Sequence, residues 1–213
     1  MAKKLVEQKR DFQSVSLLFF AVSLIGWVFE TIVCAVNSGR FYDRGFLTLP
    51  FCPIYGTPVC LAWLTLGKPT SGFFYRFLTR KNQKPGRQVR VLAKIGALCL
   101  YFIATALLAT LFELVIGLGF ERFGLSLWSY GNGRTCYKGV VCLEVSLCWG
   151  LLMTFFAQFI LGKMETAIIS LPTKIKRGLT AVLWTAILAD FAYNISYYFL
   201  NGKHFDIRKY FQR

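Results

Sequence analysis

Long apolar runs alternate with short polar and basic stretches along this chain of 213 residues. A helix needs about 20 mostly apolar residues to cross the hydrocarbon core of a bilayer. Five runs approach that length, so the pattern predicts an all-α integral membrane protein with a five-helix transmembrane bundle. The predicted spans are residues 15–37, 50–67, 92–119, 140–162 and 178–200.

The polar ends of the chain flank this predicted bundle. Residues 1–14 form a cytoplasmic N-terminal segment, residues 15–200 form the bundle, and residues 201–213 form a basic C-terminal tail.

The second predicted span is the shortest, and its first half contains Pro50, Pro53, Gly56 and Pro58. Proline lacks a backbone N–H and kinks or ends a helix. Non-helical backbone at membrane depth is tolerated only where protein or a water-filled cavity covers it. We therefore expect the outer start of this span to be irregular and to line a site.

Four acidic residues fall inside predicted spans: Glu30, Glu113, Glu144 and Asp190. An ionised side chain in hydrocarbon is costly unless it is paired, protonated or facing water. Each one therefore indicates either an ion pair that locks the bundle, with Arg44 or Arg134 as the partner, or a binding site. Both interpretations stay open at this stage.

The composition agrees with a membrane protein. Hydrophobic residues make up 55% of the chain and charged residues 16%, against about 25% charged in an average soluble domain. The net charge of +15 would suit a nucleic-acid-binding protein. However, Lys and Arg lie between the apolar runs and do not form a continuous basic face, so we exclude nucleic acid as a partner.

The distribution of Lys and Arg predicts the orientation. Sixteen of the 25 lie in the N-terminal segment and in or beside the loops after the second and fourth spans, and nine lie on the other side. The positive-inside rule then places the N-terminus inside and the C-terminus outside. In this orientation Glu30, Glu113 and Glu144 share the outer half of the bundle, and Asp190 lies deeper.

The loop 68–90 after the second span mixes aromatic and basic residues. Phe73, Phe74 and Phe77 alternate with Arg76 and Arg80. This pattern is typical of an amphipathic cytoplasmic segment on an anionic membrane surface. Docking onto a partner protein is the alternative.

The cysteines and the histidine indicate no metal site or cofactor. Cys52, Cys136 and Cys142 lie nearer one membrane surface, where a Cys52–Cys136 disulfide is one alternative. His204 stands alone in the tail, without the clustered ligands that zinc requires. The other four cysteines, expected to act as small hydrophobic residues, are Cys34, Cys60, Cys99 and Cys148.

Three motifs occur in order along the chain: GWVFETIVCAVNSGRFYDRGFLTLPFCPIYG at 26–56, FELVIGLGFERFGLSLWSYGN at 112–132 and GVVCLEVSLCWG at 139–150. Together they resemble the putative ABC-transporter type IV permease family of small bacterial multi-pass membrane proteins. The resemblance covers about residues 20–162. The chain departs from the family pattern at Asp43, Leu49, Ser129 and Val140. The loss of an acid at 129 and of a base at 140 is either a coupled change or a sign that the ligand differs from that of its relatives.

The resemblance implies transport in the bacterial cytoplasmic membrane. The chain carries no G-x-x-x-x-G-K-[ST] motif, so a separate ATPase subunit would have to supply any ATP hydrolysis. Five spans are few for one transporter, which suggests a homodimer or a partner permease.

We therefore expect a permease-like subunit whose outward-facing charged pocket binds a small polar solute, an ion or a lipid headgroup. Asp190 and Asn194 form a candidate inner relay. The expected binding residues are Glu30, Arg44, Tyr55, Glu113, Arg134 and Glu144, and the expected lining residues are Trp27, Cys52, Pro53, Gly56, Trp128 and Tyr130.

Two other functions remain open from the sequence. One is a non-catalytic sensing or assembly subunit, which the amphipathic loop favours. The other is a membrane-embedded enzyme that acts on a lipid, with paired carboxyl groups as acid and base. No catalytic signature supports the enzyme, so a non-enzymatic function is the favoured interpretation.

Overall fold

The computed structural model describes residues 11–39, 45–80 and 86–202. Helices account for 76% of the described residues. Three helices are long and apolar enough to cross a membrane, or four if one bent pair counts as a single span. The chain is thus a mostly helical membrane protein, whereas the predicted number of five spans is not confirmed.

Helix α1 covers Phe12–Ser38 and contains the whole of the predicted first span. Asp11 caps its start, because the carboxyl group of Asp11 accepts a hydrogen bond from the backbone N–H of Ser14 at 3.0 Å. Gly39 ends the helix with a left-handed backbone conformation, φ 64°, which glycine adopts without steric cost.

Helix α2 covers Pro53–Leu66, with Pro58 inside it, and residues 45–52 before it are not helical. Its 14 residues extend for about 21 Å at 1.5 Å per residue. A bilayer core is about 30 Å thick. Helix α2 is therefore too short to be a full helical span, unlike the prediction for residues 50–67.

The middle of the chain contains a short helix, a long helix and a ribbon. Helix α3 covers Phe73–Thr79 and helix α4 covers Arg87–Glu121, which includes the predicted third span. Strands β1 (Cys136–Tyr137) and β2 (Val141–Cys142) pair antiparallel, with Cys136 opposite Cys142. The all-α prediction missed this small ribbon.

Three helices complete the fold: α5 (Leu143–Phe159), α6 (Leu161–Ile169) and α7 (Thr173–Asn201). Helices α5 and α6 form the bent pair, with an angle of 49° between them. The predicted fourth span, 140–162, therefore starts three residues before α5 and runs past the bend. The predicted fifth span lies within α7.

The chain divides into two compact units. Unit 1 comprises residues 1–57 and 167–213, and in it α1 and α7 lie side by side. The Lys176 Nζ donates to an Asp11 carboxyl oxygen at 3.1 Å, and the Trp184 indole N–H donates to the Ser16 Oγ at 3.0 Å. Because both contacts join the early turns of the two helices, α1 and α7 run parallel.

Unit 2 comprises residues 58–166, and α4 packs against α5 in it. The Thr105 Oγ1 lies 3.3 Å from the Thr154 Oγ1, while Gly150 faces Ala106. Thr105 meets Thr154, whereas the later Glu113 of α4 meets the earlier Trp149 of α5, so the two helices run antiparallel. Small residues at such a crossing let two membrane helices approach closely.

Candidate functional site

Residues 45–52, the non-helical segment before α2, are called the broken segment, and its last residue lies beside the middle of α1. The backbone N–H of Cys52 donates to the Ser23 carbonyl at 3.1 Å, and Ser23 is near the midpoint of α1. Gly56 permits this approach, because a Cβ there would meet the Ser23 hydroxyl and lie 2.8 Å from the Phe19 carbonyl. Gly26 similarly faces the Tyr55 ring. Broken backbone is thus placed beside the middle of a helix long enough to span.

Glu30 of α1 contacts the start of α2. The Tyr55 hydroxyl donates to the Glu30 Oε2 at 2.8 Å, and the Cys52 thiol lies 3.9 Å from the same oxygen. Cys52 is buried. Three predicted site residues, Glu30, Cys52 and Tyr55, are therefore brought together at the junction between the broken segment and α2.

Asp190 of α7 holds the other end of the same segment. Its Oδ2 accepts the backbone N–H groups of Thr48 and Leu49 at 2.9 and 3.0 Å. The fully buried Asn194 adds contacts from its Nδ2 to the Thr48 hydroxyl at 3.0 Å and to the Asp190 Oδ1 at 3.1 Å. Asp190 and Asn194, predicted as an inner relay, therefore contact the broken segment directly.

A second polar cluster lies in unit 2 around Glu113, whose side chain is only 6% exposed. The Tyr130 hydroxyl and the Trp149 indole N–H both donate to the Glu113 Oε1, at 2.8 and 2.9 Å. The Trp128 indole N–H donates to the Val140 carbonyl at 2.9 Å. Glu113 and Tyr130, both predicted site residues, are thus in direct contact.

Glu144 lies on the exposed surface of unit 2. Both of its carboxyl oxygens accept the Thr135 hydroxyl, at 2.7 and 2.8 Å. The neighbouring Arg134 is exposed and forms no ion pair with Glu144 among the described residues. Of the two ion-pair partners proposed for Glu144, Arg134 does not pair with it, and Thr135 contacts it instead. Arg44 lies outside the described residues.

The disulfide in unit 2 corrects one alternative from the sequence. Cys136 is bonded to Cys142, with 4.0 Å between their Cα atoms. The β1–β2 register places these two residues opposite each other. A Cys52–Cys136 bridge is therefore wrong, because Cys136 is already bonded and the Cys52 thiol lies beside Glu30.

Sequence analysis missed four residues that donate hydrogen bonds to the predicted carboxyl groups: Thr48, Leu49, Thr135 and Trp149. Thr48 and Leu49 act through backbone N–H groups, which every non-proline residue has, so their side chains gave no signal. Trp149 did offer one, because an indole N–H inside a predicted span needs an acceptor when buried.

The contacts are those of acidic side chains surrounded by hydrogen-bond donors. Among the described residues there is no group of three or more His, Cys, Asp or Glu side chains that could hold a metal ion. His204 lies outside that part of the chain. The carboxyl groups of Glu30 and Glu113, which accept side-chain donors, can accept a donor on a polar solute in place of one of them.

Comparison with known proteins gives one match. The family model described as putative ABC-transporter type IV matches residues 17–195 of the chain. Comparison with curated proteins and with solved structures gave no match. The matched range contains the broken segment, its contacts with Glu30 and Asp190, and the cluster around Glu113.

Proposed function

The chain belongs to the putative ABC-transporter type IV family, and on that premise we propose that it is a small multi-pass transporter or permease-like subunit. The family match and the apolar helices make it a membrane transporter-like protein. Its cargo is proposed to be a small polar solute, an ion or a lipid headgroup.

One observation carries this proposal: carboxyl groups from two helices that are long enough to span hold the broken segment and the start of α2. Glu30 of α1 contacts Tyr55, and Asp190 of α7 accepts the N–H groups of Thr48 and Leu49. Discontinuous helices near the midplane form substrate sites in many transporters, because their exposed backbone groups can bind solute. The same function explains why this backbone is not helical.

In unit 1 the proposed binding groups are Glu30, Tyr55 and Asn194, with Asp190 as the anchor of the segment. Pro53 begins α2, and Gly56 permits the close approach to α1. We propose Trp27 and Cys52 as lining residues of this site and Arg44 as its counter-charge.

In unit 2 we propose Glu113 as a further solute- or ion-binding group. Tyr130 and Trp149 already supply two donors to one of its oxygens. Trp128 fixes the loop that carries Tyr130 through its bond to Val140. The exposed Arg134 and Glu144 are proposed to meet solute at the surface of this unit.

The helix directions support a proposal of five membrane crossings. Helices α1 and α7 run parallel, while α4 and α5 run antiparallel. If α4 and the bent pair α5–α6 each cross, together they return the chain to the side from which α4 began. The chain can then enter α7 from the same side as α1 only if the broken segment and α2 also cross. We propose that these residues form one further crossing, the second in chain order. Its first part is non-helical, and its second part is α2.

The disulfide supports the proposed orientation. Disulfides persist outside the reducing cytosol, so the Cys136–Cys142 bridge favours an outer location for the connection between α4 and α5. Helix α4 then runs outward, and with five crossings the N-terminus lies inside and the C-terminus outside. The distribution of Lys and Arg gives the same orientation independently. The proposed location is the bacterial cytoplasmic membrane.

Family membership also suggests the partners. Since the chain lacks a phosphate-binding G-x-x-x-x-G-K-[ST] motif, a separate ATPase subunit is the proposed source of ATP hydrolysis. A homodimer or a partner permease would supply the further spans of the transport path.

A second candidate function is a non-catalytic sensing or assembly subunit. The exposed aromatic residues of α3 favour it, because Phe73 and Phe77 are 53% and 62% exposed. A surface of this kind would bind a partner or the membrane without any transported solute.

The two functions are distinguished by ligand-dependent stability. The purified protein would be heated in detergent with a panel of ions, small polar solutes and lipid headgroups. We expect at least one ligand to raise the melting temperature of the wild type, and that shift to fall by more than half in Glu30→Gln or Asp190→Asn. The matched control is Glu121→Gln, since Glu121 is an exposed acid on α4.

A failure would have a clear form. If no ligand raises the melting temperature of the wild type, and both variants only lower the melting temperature, the carboxyl groups are structural. The permease proposal would then lose its main support, and the sensing or assembly function would be favoured.

A further inference from the structure

Helix α3 presents an aromatic and basic face that the rest of unit 2 leaves exposed. The Phe73 and Phe77 rings are stacked, with centroids 6.4 Å apart and an interplanar angle of 14°. Arg76 and Arg80 are also exposed. At 3.6 residues per turn these four side chains fall within about 100° of one another around the helix axis. One side of α3 therefore combines two rings with two guanidinium groups.

The packing of α3 places it at the level of the headgroups. A Cβ on Gly96 of α4 would lie 3.2 Å from the Leu78 Cδ1, so the far side of α3 faces α4 at this point. Lys94 is the last charged residue of α4 before the uncharged run 95–112. Gly96 therefore lies where α4 enters the hydrocarbon, and α3 lies beside that boundary.

The charge of the surrounding sequence selects an anionic surface. Residues 67–94 contain eight Lys and Arg residues and no Asp or Glu. Each basic residue near an anionic membrane surface strengthens the electrostatic attraction to that surface. Aromatic side chains favour the same interface, because their rings lie at headgroup level.

We propose that α3 and the first two turns of α4 form a docking surface for the headgroups of anionic phospholipids. Phe73 and Phe77 insert at the boundary of the acyl chains. Arg76 and Arg80 bind the phosphate groups, together with the exposed Arg90 of α4. This lipid surface is independent of the transported solute.

A titration of the full-length protein in neutral detergent tests the proposal. Phosphatidylglycerol and phosphatidylcholine would be added separately, and the melting temperature would be followed with each lipid. We expect phosphatidylglycerol to give the larger increase, and the difference between the lipids to fall by more than half in the double variant R76Q/R80Q. Added salt should reduce the same difference.

Three further variants make the result specific. The matched control is K174Q/R177Q, which removes two exposed basic residues at the start of α7; it should keep the full response. The charge-conserving R76K/R80K should keep most of it, which separates lost charge from misfolding. F73S/F77S should weaken the response to phosphatidylglycerol while leaving both arginines in place.

Several outcomes would overturn the proposal. If the difference in melting temperature between the two lipids is unchanged in both R76Q/R80Q and F73S/F77S, this face does not bind lipid, and a partner protein becomes the favoured occupant. An equal loss in K174Q/R177Q would indicate an unspecific charge effect. An increase produced equally by inorganic phosphate would show that the guanidinium groups bind the free anion and not a lipid.

Discussion

Glu30 and Glu113 each accept a hydrogen bond from a tyrosine hydroxyl, at 2.8 Å in both cases. A polar group removed from water is costly unless a partner replaces the water. The tyrosines supply such a partner while adding a large apolar ring to the surrounding packing. Glu30 is therefore tolerated inside a spanning helix, although no Arg or Lys among the described residues forms an ion pair with it.

The identities of these residues could be predicted, but their partners could not. Glu30, Glu113, Tyr55 and Tyr130 lie in the sequence motifs and were all expected at the site. The contact of Tyr130 with Glu113 depends on how the loop after α4 folds back. The spacing of apolar residues along the sequence does not predict this loop conformation. The bonds from Thr48 and Leu49 to Asp190 come from backbone N–H groups, which have no sequence signature.

Replacing Tyr55 by Phe tests the contact at Glu30. The variant keeps the ring and removes the hydroxyl that donates to the Glu30 Oε2. An acceptor left without its partner costs about 1–3 kcal/mol of folding free energy. We expect Tyr55→Phe to lower the free energy of unfolding in detergent by that amount, measured by reversible denaturation.

The exposed Tyr137 provides the matched control for this substitution. Surface changes away from buried contacts usually stay within about 0.5 kcal/mol, so Tyr137→Phe should be nearly silent. Equal effects of the two substitutions would contradict the structural importance of the Tyr55 hydroxyl.

Asp11 gives a pH-dependent prediction. Hydrogen bonding from the Ser14 side chain lowers the pKa of Asp11 below its ordinary value; burial opposes this shift, and hydrogen bonding from Lys176 adds to it. The lowered pKa means that Asp11 stabilises the folded state fully above about pH 4, its ordinary pKa, and that this contribution is lost as the pH falls further. We expect the difference in melting temperature between wild type and Asp11→Asn to shrink below about pH 4.

A cap variant separates the two partners of Asp11. Asp11→Ser can still cap α1 but cannot pair with Lys176, whereas Asp11→Ala loses both contacts. Loss of a helix cap costs about 1 kcal/mol. Asp11→Ala should therefore be less stable than Asp11→Ser, and a pH-independent difference between Asp11→Asn and wild type would contradict the assignment.

The longest helices were the most predictable elements. The predicted spans 15–37, 92–119 and 178–200 all lie inside helices, because a long apolar run leaves few alternatives in a bilayer. Strands β1 and β2 have two residues each, too few for a period-two pattern. The bend between α5 and α6 occurs at Ile160, where an apolar residue gave no signal for a break.

The crossing of α4 and α5 depends on a residue without a side chain. A Cβ on Gly150 would lie 2.7 Å from the Ala106 Cβ and 3.0 Å from the Phe102 carbonyl. Overpacking of this kind costs about 1–3 kcal/mol. We expect Gly150→Ala to lower the free energy of unfolding within that range, as measured by reversible denaturation in detergent.

Gly119 of α4 is the matched control, since nothing lies within 4 Å of a Cβ built there. Alanine is favoured over glycine inside a helix by about 1 kcal/mol, so Gly119→Ala should be neutral or stabilising. If Gly150→Ala is also stabilising, the close approach of the two helices is wrong.

The proposed path of the whole chain across the membrane is inferred from the helix directions together with the Cys136–Cys142 disulfide. Length and apolar composition alone identify three or four spans. If α4 and the bent pair α5–α6 each cross, the parallel direction of α1 and α7 supports the proposal that the broken segment and α2 also cross. Sequence patterns alone could not supply this argument, because helix direction within a unit depends on packing.

Reporter fusions test the number of crossings. A reporter that is active only inside the cell should be active when it is joined at the N-terminus, between α3 and α4, or between α6 and α7. A reporter joined between α4 and α5, or at the C-terminus, should be active only if it functions outside. Finding the two chain termini on the same side would contradict five crossings.

The claim that the broken segment lies on a solute path is tested most directly by labelling Cys52 in intact cells. A background in which Cys34, Cys60, Cys99 and Cys148 are replaced by alanine keeps Cys52 and the Cys136–Cys142 bridge. The label would be a charged maleimide that cannot cross the membrane. Because Cys52 is 3% exposed, the wild type should react slowly.

Asp190→Asn weakens the anchor on Thr48 and Leu49 and should open the segment more often. We expect the variant to react about tenfold faster from outside, which corresponds to about 1.4 kcal/mol. The contradicting result is no reaction of either protein with the charged reagent, while a membrane-permeant maleimide or the denatured protein gives complete labelling.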